Sequence, residues 1–308
     1  MTQANFSPVT AVSRSFSRAA ILLLLGFSLV VGGCSATRTV YNNLDWVVTW
    51  YLARHFDLDK EQKADLREMV VRNMDWHRRT QLPLYADYAR DLADDLDQPV
   101  SPDIVRGRYI QLLDFWDASM LQIIPDTYLF LTNLTDEQVD QMIEEMEKNN
   151  QEMYDEYSGS TPEEREENRN RNTIKGIERI FGKLNEEQKQ LVRDSLADME
   201  DASEEWVENR RRWQSAYIEL IREKPPEDEY KKRLTSLYVS PRGYDEPEFQ
   251  ARVDRNLERA VAMMSDLMNS LTPKQREKAQ KRLRKYAVDF DRLAAQAEQA
   301  QTAVSEVG

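Results

Sequence analysis

The amino-acid sequence predicts an all-α protein, an elongated antiparallel bundle of about eight long amphipathic helices. Three observations carry that expectation. Of nine glycines in 308 residues, Gly26, Gly32 and Gly33 fall in one apolar N-terminal stretch, so the remainder has few positions suited to sharp turns. No alternating apolar–polar run is bounded by Asn-Gly or Asp-Gly, the signature of a hairpin. One helix-start signature recurs four times: Leu58-Asp59-Lys60-Glu61-Gln62, Leu134-Thr135-Asp136-Glu137-Gln138, Leu184-Asn185-Glu186-Glu187-Gln188 and Leu271-Thr272-Pro273-Lys274-Gln275. In each, Asp, Thr or Asn caps the first free amides, Gln reaches back to the cap amide, and Leu occupies the staple position.

The elements follow from these starts. A first helix is expected over 41–56 and a second over 60–97, kinked where Pro83 removes a backbone donor. Ser101-Pro102-Asp103 opens a third, 102–131, disturbed near Pro125. A fourth, 136–157, ends at Ser158-Gly159-Ser160, and Thr161-Pro162-Glu163-Glu164 opens a highly charged fifth, 162–182. In the sixth, 186–222, Val192, Met199, Trp206, Trp213 and Leu220 recur every seven residues, with Leu196 and Tyr217 on the neighbouring seam. That spacing predicts one continuous apolar edge on a helix about 55 Å long. Lys224-Pro225-Pro226 stops it, and 223–247 reads as irregular, a possible sub-boundary in a helical domain spanning 41–295. Val253, Leu257, Ala260, Met264, Leu267 and Leu271 define the seventh helix, and Leu283, Tyr286, Phe290 and Leu293 the last. Residues 296–308 read as a polar tail.

Residues 1–33 read as a secretory leader. Arg14 and Arg18 precede a thirteen-residue apolar run, Ala19 to Val31, whereas a spanning helix needs about twenty residues. The run ends in Val31-Gly32-Gly33-Cys34, which resembles the bacterial lipobox. That resemblance implies cleavage before Cys34, the chain's only cysteine, and acylation of its thiol and new amino group. Several acyl chains anchor stably where one does so only marginally. Ser35, in place of the Asp associated with inner-membrane retention, implies outer-membrane cargo facing the periplasm. Losing Arg14 and Arg18 leaves 40 basic against 55 acidic residues, a side-chain charge of −15. Residues 34–40 form a lipidated tether, the six beyond the cysteine reaching at most about 20 Å when extended, so the folded part is expected close to the membrane.

The catalytic inventory is thin. One cysteine excludes a disulfide framework and Cys-based metal sites. His55 and His77 are the only imidazoles, and neither follows a Glu three residues earlier as a di-iron bundle requires. The acidic balance argues against nucleic acid. No zincin motif, phosphate loop or nucleophile elbow is present. No catalytic, cofactor-binding or metal-ligating residue is therefore expected. His77 reads as a boundary histidine with a local partner. The runs Asp91-Asp94-Asp95-Asp97 and Glu163-Glu164-Glu166-Glu167 read as solvated faces, and Arg210-Arg211-Arg212 with Lys281-Arg282 and Arg284-Lys285 as ion-paired helix surface. Tyr41, Trp46, Trp50 and Tyr51 form an aromatic cluster just beyond the tether, packed in the core or set in the membrane interface.

Two resemblances follow from these residues. The recurring caps resemble the LTxxQ motif of the small helical periplasmic stress chaperones (the Spy/CpxP-like group). The Leu134 and Leu271 copies match in full, and the Leu58 and Leu184 copies carry Asp and Asn in place of Thr. The Cys34-Ser35 start, Tyr41-Asn42-Asn43-Leu44-Asp45-Trp46 and Phe56-Asp57-Leu58 are similar to a gammaproteobacterial family of putative lipoproteins with a domain of unknown function. That likeness spans nearly the whole mature chain and implies structural roles for Tyr41, Asn43, Asp45 and Trp46. Together these features predict a non-enzymatic, lipid-anchored protein that binds other envelope proteins or unfolded chains. The alternative is a module that binds or processes cell-wall glycan through a carboxylate pair and an unpacked Trp among Trp46, Trp116, Trp206 and Trp213.

Overall fold

A computed structural model describes residues 36–157 and 161–307; the leader, Cys34 and the Ser158-Gly159-Ser160 breaker lie outside the described residues. Among the described residues the chain is all-α, with twelve α-helices, one short 3-10 turn and no strand. The helices are α1 (Ala36–Asn42), α2 (Leu44–His55), α3 (Lys60–Thr80), α4 (Leu82–Asp95), α5 (Pro102–Thr132) and α6 (Asp136–Tyr157). They continue with α7 (Pro162–Phe181), α8 (Glu186–Ala197), α9 (Ser203–Glu223), α10 (Glu227–Val239), α11 (Pro247–Asn269) and α12 (Pro273–Val307).

All four cap signatures close as reciprocal boxes. Gln62 N donates to Asp59 Oδ1 at 2.9 Å while Asp59 N donates to Gln62 Oε1 at 3.1 Å. The same two bonds form at Thr135/Gln138, Asn185/Gln188 and Thr272/Gln275. Beyond this, the boxes meet in pairs. Gln62 Nε2 donates to Gln138 Oε1 at 3.0 Å and Gln138 Nε2 returns to Gln62 Oε1 at 2.8 Å. Gln188 and Gln275 exchange the same bonds at 3.1 and 2.9 Å. In every case the second amide hydrogen goes to the carbonyl two residues ahead of the partner's cap: Gln62 to Asn133, Gln138 to Asp57, Gln188 to Ser270 and Gln275 to Lys183. Both donors and both lone pairs of each side-chain amide are thereby used. A carboxylate has no hydrogen for the two donations, which distinguishes these boxes from Thr161/Glu164, an ordinary capping box on the exposed surface.

One hydrophobic core surrounds each amide pair. Leu58 and Leu134 are buried with Leu66, Val139, Leu220 and Tyr230 around the first. Leu184 and Leu271 are buried with Phe181, Val192, Met263 and Leu267 around the second. The helices correspond as well. In the first half α3 packs on α5 and α2 on α6; in the second, α8 packs on α11 and α7 on α12. The halves are joined chiefly by α4 against α12, where Ala86 and Ala89 meet Ala287, Phe290, Leu293 and Ala294. Small residues on both helices allow close approach.

Several expected boundaries move, each for a packing reason. The helix expected over 60–97 divides at Gln81, just ahead of Pro83, into α3 and α4. The helix at 102–132 instead runs unbroken through Pro125. The expected continuous edge over 186–222 does not exist, because α8 ends at Ala197 and α9 begins at Ser203. The break is held from α11. Asn256 donates to Glu200 O and accepts from Glu200 N, both at 2.9 Å, and Arg255 grips the Glu200 carboxylate with two bonds of 2.7 Å. Those guanidinium bonds hold the Glu200 pKa down to about 2. The segment 223–247, expected to be irregular, contains α10, whose Tyr230, Leu234 and Leu237 are buried in the first core. Helix persists through Val307, so residues 296–307 of the expected polar tail are the end of α12. Residues 36–40 of the expected tether are the first turns of α1.

Gln138→Glu, nearly isosteric, removes two donations from a buried site and is expected to cost about 1–3 kcal/mol in urea unfolding. Glu164→Gln, at the exposed box, is expected to stay within about 0.5 kcal/mol of wild type. Equal effects of the two substitutions would refute the amide pairing as a stabilising element.

Candidate functional site

The aromatic residues expected to cluster after the tether divide between core and surface. Tyr41, at the end of α1, is buried against α12 and α4. Its hydroxyl is 2.7 Å from His77 Nδ1, and His77 Nε2 is 3.2 Å from the Tyr85 hydroxyl. A neutral imidazole serves this chain, one nitrogen accepting and the other donating. Burial, with a smaller effect of the neighbouring Arg78 charge, lowers the His77 pKa to about 4. Burial raises Tyr41 and Tyr85. The Arg78 guanidinium lies 5.2 Å from the Tyr41 ring centre, and Arg38 of α1 reaches the buried Asp289 carboxylate of α12 at 3.4 Å. The short helix after the tether is therefore bound to α3, α4 and α12 by a histidine bridge and an ion pair.

On α2 the inner side, with Leu52 and Ala53, packs against the first core while the outer side faces solvent. Trp46 is 64 % exposed, Trp50 50 % and Val47 40 %. The two indoles stack with centroids 6.3 Å apart and planes 15° from parallel, and the Arg54 guanidinium sits 5.7 Å from the Trp50 ring centre. Tyr51, half-buried, lies against the His55 ring at 3.8 Å.

A second apolar surface, not anticipated in the sequence, runs along α5. Its inner side packs on α10, α11 and α3. On its outer side Ile110, Leu121 and Leu129 are 49, 51 and 47 % exposed; Ile110 and Leu121 stand three turns apart with Asp114 between them, and Leu129 lies about two turns further on and part-way round the helix, beyond the exposed Pro125. Leu113 neighbours Ile110 one turn on, while Tyr109 and Leu112 are exposed on other sides of the N-terminal half. From Ile110 to Leu129 it extends about 28 Å. The signal was available: α5 is apolar on nearly all sides, more than one packed face requires.

The charge runs find each other. Asp91 and Asp95 both accept from Arg108, Asp94 pairs with Arg284 at 3.0 Å, and Asp97 accepts from Gln280. The run 91–97, expected to be solvated, is thus largely paired, partly with a basic segment nearly two hundred residues away. Arg211 and Arg212 pair with Glu147 and Glu246, while Arg210 is packed over Trp206 and donates to Asn150. Of the four tryptophans considered for glycan, Trp46 alone is exposed. Trp206 is half-buried beneath Arg210, and Trp116 and Trp213 donate to the carbonyls of Tyr238 and Leu237. Among the described residues no group of three or more His, Cys, Asp or Glu could hold a metal ion, and no helix is long and apolar enough to cross a membrane.

Fold and surfaces together define an all-α protein built from two amide-locked cores and carrying two exposed apolar faces. Its family can then be stated: residues 54–250 match a family of unknown function, DUF6279, and the chain belongs to it. The matched span takes in the Leu58, Leu134 and Leu184 boxes and stops before Leu271. Neither a curated protein nor a solved structure matches the chain.

His77 sets a pH dependence. An unfolded histidine titrates near 6.5 and the folded one near 4, so between those values the unfolded state binds a proton that the folded state does not. Stability is expected to fall as pH drops from 6.5 toward 4, by up to about 3 kcal/mol. His77→Gln should flatten that limb of the urea-midpoint profile; an unchanged slope would assign it to other groups.

Proposed function

We propose that this protein is a non-enzymatic, lipid-anchored helical protein of the Gram-negative envelope. It is held at the periplasmic face of the outer membrane through Cys34, and it binds other envelope proteins or unfolded chains along the outer side of α5. The observation that carries the binding reading is the exposure of Ile110, Leu121 and Leu129 on a helix whose other side is packed into the core. Water contact with several aliphatic side chains in one strip is unfavourable, and apolar strips of this kind mark interaction surfaces. The exposed Asp114 lies within the strip, which favours partners presenting apolar residues with a basic neighbour. The anchor rests on the lipobox-like Val31-Gly32-Gly33-Cys34, and the kinship with putative lipoproteins and with LTxxQ chaperones rests on the residues quoted for them.

A chain carrying Ile110→Asp, Leu121→Asp and Leu129→Asp is expected to keep its helix content and melting temperature. It should lose most of its ability to suppress aggregation of an unfolded test protein and its site-specific crosslinks to envelope proteins. Undiminished suppression and crosslinking would refute α5 as the binding surface. Separately, Cys34→Ser is expected to abolish palmitate labelling and release the protein from membranes; labelling that survives the substitution would remove the anchor.

A further inference from the structure

We propose that the outer face of α2 is a membrane-docking surface, with Trp46 and Trp50 seated at the headgroup level of the bilayer that carries the anchor. The proposal rests on the lipoprotein reading of Cys34 for its placement. Cys34 stands two residues before α1, and two residues reach at most about 7 Å. The seven-residue α1 adds about 10 Å before the chain turns at Asn43 into α2. That link is held by the Tyr41–His77 bond at 2.7 Å, the Arg38–Asp289 pair at 3.4 Å and the Asn43 side chain donating to Thr39 O at 2.7 Å. A lipid on Cys34 therefore brings α2, rather than an arbitrary part of the molecule, to the bilayer.

The chemistry of the face suits that position. Stacked indoles at 64 and 50 % exposure present amphipathic rings, the side chains enriched at the membrane–water interface. Val47 adds an exposed aliphatic side chain on the same outer side. Arg54 is exposed with its guanidinium over the Trp50 ring, 5.7 Å from the ring centre, which places a positive charge beside the indoles where headgroup phosphates would lie. From Asn42 to Phe56 the one carboxylate is Asp45, and it is half-buried. A domain of side-chain charge −15 is repelled by anionic lipid over most of its surface, and this face is a local exception. Docking would also fix the orientation of the bundle, since α2 packs directly on α3 and α6.

The test uses the acylated full-length chain in vesicles of phosphatidylethanolamine with a minority of phosphatidylglycerol, some lipids carrying a quencher at shallow depth. Tryptophan emission is expected to be quenched, and Trp46→Phe with Trp50→Phe should remove most of that quenching. The Cys34→Ser chain, lacking acyl groups, should still partition weakly to the same vesicles, and adding Trp46→Ser and Trp50→Ser should lower that partition at least about tenfold. An acylated chain held on vesicles with Trp46 and Trp50 unquenched overturns the docking and leaves the anchor standing. Wild-type protein isolated from cells without an acyl group on Cys34, yet partitioning through Trp46 and Trp50, removes the anchor and leaves the docking standing. Self-association in solution that depends on Trp46 and Trp50 overturns the proposal in favour of a second copy.

Discussion

Two primary amides face each other in each half of the molecule, every one of them already committed to a helix cap. A side chain that accepts from its own cap and from its partner, and donates to its partner and to the carbonyl ahead of the partner's cap, has no bond left to form elsewhere. Four helix ends are thereby tied together at one point, with Leu58 and Leu134, or Leu184 and Leu271, packed in the core beside it. The cost of leaving any of these groups unpaired in a low-dielectric site makes the arrangement close to all-or-none. The two cores are thus related designs as well as neighbours, and the helices around each occupy corresponding positions.

The halves are joined in a different way. Where α4 meets α12 the contact is made by small residues, and the charged runs beside it pair with each other, as in Arg284 with Asp94 and Gln280 with Asp97. Exposed pairs of this kind contribute little individually. Their effect is on register, because a slide of one turn along α12 would separate the charges while leaving the alanines able to pack. The same region receives α1, whose Tyr41 and Arg38 find partners on α3 and α12.

What remains exposed after this packing bears on function. The seam expected along 186–222 is consumed in the interior on both sides of a break at Glu200, and the tryptophans that made it conspicuous are packed or hydrogen-bonded. Among the described residues, exposed apolar side chains group on the outer sides of α2 and α5. One lies close in sequence to the acylation candidate and is rigidly connected toward it; the other extends along a helix of 31 residues on a different part of the bundle. Under the proposed reading, the first face would meet the membrane and the second a partner.

By itself the sequence determined the helical class, the helix starts that carry a cap signature and the residue types available for chemistry; the starts at Leu44, Leu82, Ser203 and Glu227, which carry no cap signature, it did not show. Those properties depend on contacts within four residues along the chain, where Asp59, Thr135, Asn185 and Thr272 act on neighbouring amides. The use of Gln rather than Glu in all four boxes was legible too, but its meaning was not, since its partner lies 76 or 87 residues away. Only the tertiary structure decided that the boxes pair, that α8 and α9 are separated by bonds from Asn256 and Arg255, that the segment after Lys224 is a core helix, and which tryptophans stay in water. Each of those outcomes depends on which apolar side finds a partner, and helical periodicity identifies an apolar side without saying what covers it.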